Sequence, residues 1–238
     1  MKKVKQLFLN FIKFIIALAV VFTVFVSVII LIFRFINPPI SAFMLSKSEI
    51  SFEKPFYNNA QKQKWVGLEN ISKNLILAVI ASEDQKFLLH YGFDLEQIEK
   101  AFDEMERGRR VRGASTISQQ VVKNLFLSGD KNIIRKAVEA ELTMLVEILW
   151  SKKRIIEVYL NIAEFGRDTF GAEAAANSFY RKPAKSLNKS EAALLAAVLP
   201  SPIRYSVKNP SARLINRRDR IIRFMDQLGG TKIINDLF

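Results

Sequence analysis

A long uncharged run near the N-terminus constrains this chain more than any other feature. Residues 14–33 carry no Asp, Glu, Lys or Arg, and only Thr23 and Ser27 interrupt the apolar side chains. At about 1.5 Å per residue, a helix of this length spans the roughly 30 Å hydrocarbon core of a bilayer. The run is longer than the apolar part of a signal peptide, and no small-residue cleavage site follows it. The sequence therefore predicts a transmembrane helix at residues 14–33, with a buried core helix as the alternative.

The basic residues around this run predict its orientation. Arg34 is the only basic residue that follows closely, whereas several lysines precede the run: Lys2, Lys3, Lys5 and Lys13. The positive-inside rule assigns residues 1–13 to a cytoplasmic tail and the long remainder of the chain to the other side of the membrane.

The charge balance predicts an anionic partner. Lys and Arg total 36 against 23 Asp and Glu, which gives a formal net charge of +13. Nucleic acid, an anionic membrane surface and a phosphorylated substrate all suit such a balance. Because the predicted topology places most of the chain outside the cytoplasm, we expect lipid headgroups or lipid-linked phosphates and no nucleic acid.

The chain after the span divides into a short segment and one domain. Pro38 and Pro39 end the membrane helix, and residues 34–69 are weakly periodic, which indicates a juxtamembrane segment. From residue 70 onward the apolar spacing is helical, and we find no alternating strand of useful length. The fold class predicted for residues 70–238 is therefore all-α, with a single core.

Composition excludes several kinds of catalytic site. The chain has no Cys and a single His, His90. Disulfide scaffolds, thiol nucleophiles, zinc fingers and His-rich metal sites are thereby excluded. The chemistry must come mostly from carboxylates, hydroxyls, Lys and Arg.

A first candidate site is the acidic pair Glu83 and Asp84, which follows an apolar helical segment. A carboxylate at the C-terminal end of a helix lies at the negative end of the helix dipole, which makes it a better proton acceptor. The alternative is a solvated helix end. We interpret the nearby His90 as a hydrogen-bonded structural histidine.

A second candidate site lies in residues 113–124, where we expect Ser115 to cap a helix that runs to Phe126. A buried stripe is predicted at every fourth position from Ile117. Hydroxyl, amide and ammonium groups fall on another face, and such a face suits a sugar phosphate: Thr116, Gln120 and Lys123. An ordinary polar helix surface is the alternative.

A third candidate site has Lys131, Arg135 and Glu139 spaced four apart. In a helix, these two cations and one carboxylate share a face and could hold a pyrophosphate, with the acid toward a metal or the reacting centre. The alternative is a salt-bridge ladder worth about 0.5 kcal/mol per pair.

Together these segments resemble the signatures of the peptidoglycan glycosyltransferases, glycosyltransferase family 51. Residues 83–94 fit E-D-x-x-F-x-x-H-x-G-x-D, residues 113–124 fit G-[GA]-S-T-[IL]-[ST]-Q-Q-x-x-K-N, and residues 135–139 fit R-K-x-x-E. Residues 152–161 are similar to K-x-x-[IL]-[LI]-E-x-Y-L-N, and residues 171–202 are similar to the fifth signature. The resemblance is greatest to the monofunctional branch from Gram-negative bacteria, in which Ala commonly stands at the position of Ala114.

The resemblance implies a lysozyme-like all-α fold and the polymerisation of lipid II into β-1,4-linked glycan strands. It implies that Glu83 is the general base for the attacking 4-hydroxyl and that Glu139 lies near the leaving pyrophosphate, directly or through Mg²⁺ or Mn²⁺. No tightly bound cofactor is expected. The substrate-binding residues implied are Asp84, Ser115, Thr116, Gln119, Gln120, Lys123, Asn124, Lys131 and Arg135.

The resemblance also implies a location and leaves two other functions to be weighed. We expect a single-pass protein of the inner membrane with a periplasmic catalytic domain, lipid II and the growing chain as substrates, and other cell-wall synthesis or division proteins as further partners. Because the chain ends at Phe238, we expect no transpeptidase activity. The alternatives are a membrane-anchored, lysozyme-like lytic enzyme and an inactive cell-wall scaffold.

Overall fold

The structure is a computed structural model that describes residues 2–47, 62–108, 115–127 and 132–237. Lys131, most of the basic segment at residues 107–112 and much of the predicted juxtamembrane segment lie outside these ranges. The α-helices are α1 (Lys2–Phe35), α2 (Ala42–Lys47), α3 (Lys73–Glu83), α4 (Leu95–Glu106), α5 (Ile117–Phe126), α6 (Ile133–Leu149), α7 (Lys152–Ile162), α8 (Ala172–Tyr180), α9 (Lys189–Val198) and α10 (Ala212–Gln227). Short 3₁₀ helices occupy Leu68–Asn70, Ala184–Ser186 and Gly230–Leu237.

Helix α1 dominates the first of two units, Met1–Pro38. Its most apolar 18-residue window has a mean hydropathy of 3.3. Among the described residues, it is the one helix that is long and apolar enough to cross a membrane. The helix includes the predicted span at residues 14–33 and continues beyond both of its ends. It ends before Pro38, because a residue that precedes proline disfavours the helical conformation.

The second unit, Pro39–Phe238, has a helical core, so the all-α prediction is confirmed. Helices α3 and α9 pack against each other at its centre. Residues 75–81 of α3 and residues 192–198 of α9 are buried. Helices that are apolar on every side are stable only when neighbours surround them. The alanines of α9 present little side-chain volume, which allows α3 to approach closely.

Two groups of helices flank this central pair. Helix α10 packs on α3 and α9 through an apolar stripe of Leu214, Ile221 and Met225. Helix α5 packs on both α6 and α7. The C-terminal end of α3, which carries Glu83, contacts α5 through Gln120 and α10 through Arg217.

A small sheet joins residues that are far apart in the chain. Strand β1 (Lys62–Gln63) is parallel to β3 (Thr169–Phe170), and β3 is antiparallel to β2 (Glu164–Gly166). Asn161 exchanges hydrogen bonds with both backbone polar groups of Val66. Helix α2 also packs on α5. The compact unit thus begins at Pro39 rather than at residue 70, because these segments find their backbone and apolar partners within the helical domain.

Side chains that accept a backbone N–H set the starts of several helices. The N-caps of α4, α6, α7 and α10 are side chains that accept a backbone N–H: Asp94, Asn132, Ser151 and Ser211. For α5, the cap is Thr116 rather than the predicted Ser115. Thr116 is the favoured cap because Gln119 lies three residues after it and completes a capping box.

Candidate active site

Glu83 is the last residue of α3 and has three polar neighbours. Its Oε2 accepts a hydrogen bond from Gln120 Nε2 at 3.1 Å, and its Oε1 accepts one from Ser82 Oγ at 3.1 Å. The side chain is 13% exposed. This arrangement suits a general base, since the carboxylate is oriented by donors while part of it faces solvent.

Gln120 connects Glu83 to a buried tyrosine of α7. The hydroxyl of Tyr159 donates to Gln120 Oε1 at 3.0 Å. Burial raises the pKa of Tyr159 well above its usual value of 10, and the nearby charges of Glu83 and Asp84 raise it further. The phenol therefore stays protonated and remains a donor throughout the physiological pH range. The carboxylate of Glu83 only accepts hydrogen bonds and therefore selects the amide nitrogen of Gln120, while the Tyr159 hydroxyl donates to the amide oxygen and holds the amide in place.

Arg217 of α10 is a neighbour of Glu83 that the motifs do not include. Its Nη2 lies 3.6 Å from Glu83 Oε1 and 3.3 Å from Ser82 Oγ. A signal was present in the sequence, because Arg217 falls on the apolar stripe of α10, three residues after Leu214 and four before Ile221. A charged residue in a buried stripe needs a partner.

Asp84 lies beside the base but is directed into the protein. Its side chain is 2% exposed. Both carboxylate oxygens lie within 3.1 Å of His90 Nε2, and Oδ2 also accepts the backbone N–H of Ile117 at 3.0 Å. Asp84 thus joins the end of α3 to the start of α5, and His90 is the hydrogen-bonded histidine that the sequence predicts. These contacts favour a positioning role for Asp84.

The loop after Asp84 also contacts both α5 and α6. Thr116 Oγ1 donates to the carbonyl of Gly92 at 2.7 Å. Gly92 has a φ of +85°, and a β-carbon there would lie 2.8 Å from Thr143 Cγ2 of α6. Only glycine fits this close approach. Thr143 in turn donates to the carbonyl of Glu139 at 2.6 Å, so the chain near Glu83 is packed against the helix that carries Glu139.

The predicted binding residues at the start of α5 differ in their availability. Thr116 and Gln119 form a reciprocal capping box, in which each side chain accepts the other's backbone N–H. Both are buried, whereas Ser115 is exposed. Their side-chain oxygens are therefore used to build the helix terminus, and they shape the site rather than project into it.

Glu139 of α6 is held by two cations. Its side chain is 3% exposed, its Oε2 lies 3.3 Å from Arg135 Nη1, and its Oε1 lies 2.6 Å from Lys136 Nζ. The structure therefore confirms that Arg135 and Glu139 share a face, and it adds Lys136. Arg135 Nε is buried without a hydrogen-bond partner in the part of the chain that the structure describes, which leaves this nitrogen able to donate to a ligand.

The described residues do not form a metal site around Glu139. Within them, no three Asp, Glu, His or Cys side chains come close enough to hold a cation. Both oxygens of Glu139 have cationic partners, whereas Mg²⁺ and Mn²⁺ prefer several uncommitted oxygen ligands. The predicted divalent cation therefore stays a prediction, and the charge near Glu139 is met by Arg135 and Lys136.

A cavity of about 340 Å³ adjoins this arrangement. Three of the predicted binding residues on α5 lie in its wall, namely Gln120, Lys123 and Asn124. Tyr159 also lines it. The cavity therefore begins at the side chain that orients Glu83, and it brings an ammonium group and amides to one side of the candidate base.

Comparison with known proteins identifies the family. Residues 51–226 match the transglycosylase family. A biosynthetic peptidoglycan transglycosylase of Pasteurella multocida (strain Pm70) is 52% identical over 212 residues, which are 89% of this chain and 85% of the relative. Proteins with the same name from Haemophilus influenzae and Escherichia coli (strain K12 / DH10B) are 50% and 49% identical, covering 88% and 92% of this chain and 87% and 90% of theirs. Since the family match and these relatives extend over most of the sequence, this chain belongs to the transglycosylase family and is a glycosyltransferase.

Proposed function

We propose that this chain polymerises lipid II into β-1,4-linked glycan strands for the bacterial cell wall. The observation that carries the proposal is the oriented, partly exposed carboxylate of Glu83 in a chain of the transglycosylase family. Gln120 and Ser82 hold this carboxylate, and a cavity lined by an ammonium group and amides lies beside it. A base next to such a cavity suits a sugar hydroxyl as nucleophile and a lipid pyrophosphate as leaving group.

In the proposed reaction, Glu83 accepts the proton of the 4-hydroxyl on the GlcNAc of lipid II. The freed oxygen attacks the anomeric carbon of the growing chain, and a new carbon–oxygen bond forms as the bond to the pyrophosphate breaks. The undecaprenyl pyrophosphate leaves with the bonding electrons. Because an α-linked donor gives a β-linked product, the displacement inverts configuration.

Basic residues would stabilise the leaving group. Charge grows on the pyrophosphate as its bond to carbon breaks, and fixed cations at that place lower the barrier. Arg135 suits this role because its buried Nε lacks a partner among the described residues, and Lys123 suits it because it lines the cavity. We assign Lys131 to the same task from its place in the sequence. Glu139 would hold Arg135 in position.

The remaining candidate residues would shape the substrate groove. Asp84, Thr116 and Gln119 fix the start of α5 through the contacts described above. Ser115 is exposed at the surface, and Asn124 lines the cavity, so both side chains can contact the substrate.

We further propose that α1 anchors the protein in the inner membrane, with its N-terminus in the cytoplasm and the catalytic unit in the periplasm. The apolar length of α1 and the lysines before it support this. Exposed apolar side chains in and after the loop that follows α3 suit contact with lipid, since Leu89, Tyr91 and Leu95 are 75–85% exposed. Anchoring would confine the enzyme to the surface that holds its lipid substrates. Other cell-wall synthesis proteins remain proposed partners.

Incubation of the purified chain with labelled lipid II tests the proposal against both alternatives. A glycosyltransferase produces glycan polymer, a lytic enzyme shortens preformed glycan, and a scaffold does neither. We expect Glu83→Gln to lower polymerisation by about 10²–10⁴-fold, the usual contribution of a general base. Glu69→Gln, which changes an exposed acid, is the matched control. Rapid turnover by a folded Glu83→Gln protein would remove Glu83 from the role of base.

A further inference from the structure

Strand β2 begins with a buried carboxylate that has one unpaired oxygen. The side chain of Glu164 is 4% exposed. Its Oε2 accepts a hydrogen bond from the Lys47 ammonium at the end of α2. Its Oε1 is buried and has no hydrogen-bond partner among the residues that the structure describes. Buried acceptors without a donor are rare in native proteins, because they lose their hydrogen bonds to water and form none within the protein. A ligand is one source of the missing donor.

Glu164 lies in the wall of the cavity that adjoins the candidate base. Gln120 and Tyr159 line the same cavity, and Gln120 donates to Glu83 Oε2 at 3.1 Å. The residue with the unpaired oxygen therefore borders a space that begins one side chain away from Glu83. A group bound there would be contiguous with the reacting sugar.

The chemistry of the wall selects the class of ligand. Flat apolar side chains line the cavity beside the amides of Gln120 and Asn124, and they include Phe43, Pro200 and Pro202. The ammonium group of Lys123, which we assign to the pyrophosphate, lies in the same wall, whereas the ammonium group of Lys47 is paired with Glu164. Apolar surfaces with a few fixed polar groups, such as those around Glu164, are typical of sites that hold uncharged parts of a ligand. A carboxylate repels phosphate, so the Glu164 end of the cavity does not suit the pyrophosphate. A carboxylate does accept hydrogen bonds from sugar hydroxyls and acetamido N–H groups.

We propose that Glu164 Oε1 accepts a hydrogen bond from an N-acetylhexosamine unit of the glycan, and that this cavity is a sugar subsite next to Glu83. The proposal rests on the proposed function, which makes the glycan the substrate. Lys47 offsets the negative charge of the carboxylate and occupies Oε2. Oε1 is thereby the oxygen left without a donor among the described residues.

Steady-state polymerisation of lipid II by two variants tests the subsite. In Glu164→Gln, Lys47 has only donors and selects the amide oxygen, which leaves an NH₂ group where the acceptor was. Glu164→Met removes the polar group. Loss of a hydrogen bond to a charged acceptor corresponds to about a ten- to hundredfold loss of binding, so we expect KM to rise by that factor in Glu164→Met with a smaller change in kcat. Asp226→Asn is the control, because Asp226 also pairs with a lysine but is 60% exposed.

Calorimetric titration with chitotetraose makes the test independent of turnover. We expect the full-length wild type and Asp226→Asn to bind this soluble N-acetylglucosamine oligomer, and Glu164→Met to bind it at least about tenfold more weakly. Failure of the wild type to polymerise lipid II would overturn the proposed function, whereas the titration still reports on the subsite. Unchanged KM and chitotetraose binding in both Glu164 variants, or no binding by the wild type, would overturn the subsite. An effect in Glu164→Met alone identifies a sugar hydroxyl as the donor, since a hydroxyl can also accept from glutamine.

Discussion

The side-chain amide of Gln120 joins Glu83 to Tyr159. Its nitrogen donates to Glu83 Oε2 at 3.1 Å, and its oxygen accepts from the Tyr159 hydroxyl at 3.0 Å. The ionised carboxylate of Glu83 only accepts hydrogen bonds, so it selects the amide nitrogen of Gln120. The amide oxygen is left to the Tyr159 hydroxyl, whose raised pKa keeps it protonated, and the bond between them holds the amide in place. The orientation of the candidate base therefore depends on a residue that does not touch it.

Tyr159→Phe tests this dependence. The substitution keeps the buried ring and removes one hydrogen bond worth about 0.5–1.5 kcal/mol. We expect kcat for lipid II polymerisation to fall about three- to tenfold while KM changes little, since the ring itself is retained. Steady-state kinetics in detergent measure both constants. Tyr180→Phe, which changes a half-buried tyrosine whose pKa is also raised by burial, is the control. An unchanged kcat in Tyr159→Phe would show that Glu83 is oriented without the tyrosine.

Arg217→Met tests the cation that lies against Glu83. Methionine preserves the apolar stem on α10 and removes the guanidinium, whose Nη2 lies 3.3 Å from Ser82 Oγ and 3.6 Å from Glu83 Oε1. We expect kcat to fall by about ten- to hundredfold, because the variant loses the ion pair with Glu83 and the charged hydrogen bond to Ser82, whose hydroxyl donates to Glu83 Oε1. Arg213→Met changes an exposed arginine of the same helix and should keep wild-type kinetics. Equal kinetics in the two variants would leave Arg217 with only a structural role.

Local sequence patterns predicted the helical fold well, for a physical reason. Capping side chains and apolar periodicity act within a few residues, so they can be read without knowledge of the tertiary structure. Asn132 and Ser151 cap two helices in the region where the apolar spacing is helical. The pairing of Arg135 with Glu139 follows from the same helical spacing. The motif resemblance then supplied the proposed role of Glu83 as the general base.

Long-range partners could not be predicted in the same way. Lys47 and Glu164 are 117 residues apart in the chain, and nothing in either local segment indicates that they pair. The association of residues 42–47 and 62–70 with the helical domain has the same origin, because Asn161 contacts Val66 only after folding. Arg217 is an intermediate case. Its charge within an apolar stripe indicates that it has a partner, but the sequence does not show which residue that partner is.

The acid dependence of stability is expected to involve Glu173. Burial alone would raise the pKa of its carboxyl, but hydrogen bonds from the Ala184 N–H, Asn177 and Lys64 outweigh burial, and the pKa lies below its usual value. A lowered pKa in the folded state means that the carboxylate stabilises the protein above the pKa of the unfolded chain, about 4.3. This contribution is lost as the pH falls through the folded-state pKa.

Glu173→Gln measures that contribution. At pH 7 we expect it to lower the free energy of unfolding by about 1–3 kcal/mol, because the amide cannot satisfy all three donors. The difference from the wild type should shrink as the pH falls below about 4. Urea unfolding followed by circular dichroism in nonionic detergent gives both values, with Glu69→Gln as the control for an exposed acid. A difference that stays constant between pH 7 and pH 3 would mean that the charge of Glu173 is not what stabilises the contact.

A shortened chain that begins at Pro39 tests whether α1 only anchors the protein in the membrane while the domain carries out the reaction. We expect it to fold, because Pro39–Phe238 forms a compact unit with its own core, and to polymerise lipid II in detergent at close to the full-length rate.

In liposomes it should be slower at low enzyme concentration, since anchoring raises the local concentration of enzyme and substrate. Lys54, Lys62 and Lys64 supply attraction to anionic lipid of about 1 kcal/mol each, so the deficit should grow as salt screens them. Circular dichroism establishes folding, and labelled lipid II measures activity in both media. If the shortened chain is folded but inactive in detergent, α1 must contribute to the substrate site itself, and the separation of anchor from catalyst is wrong.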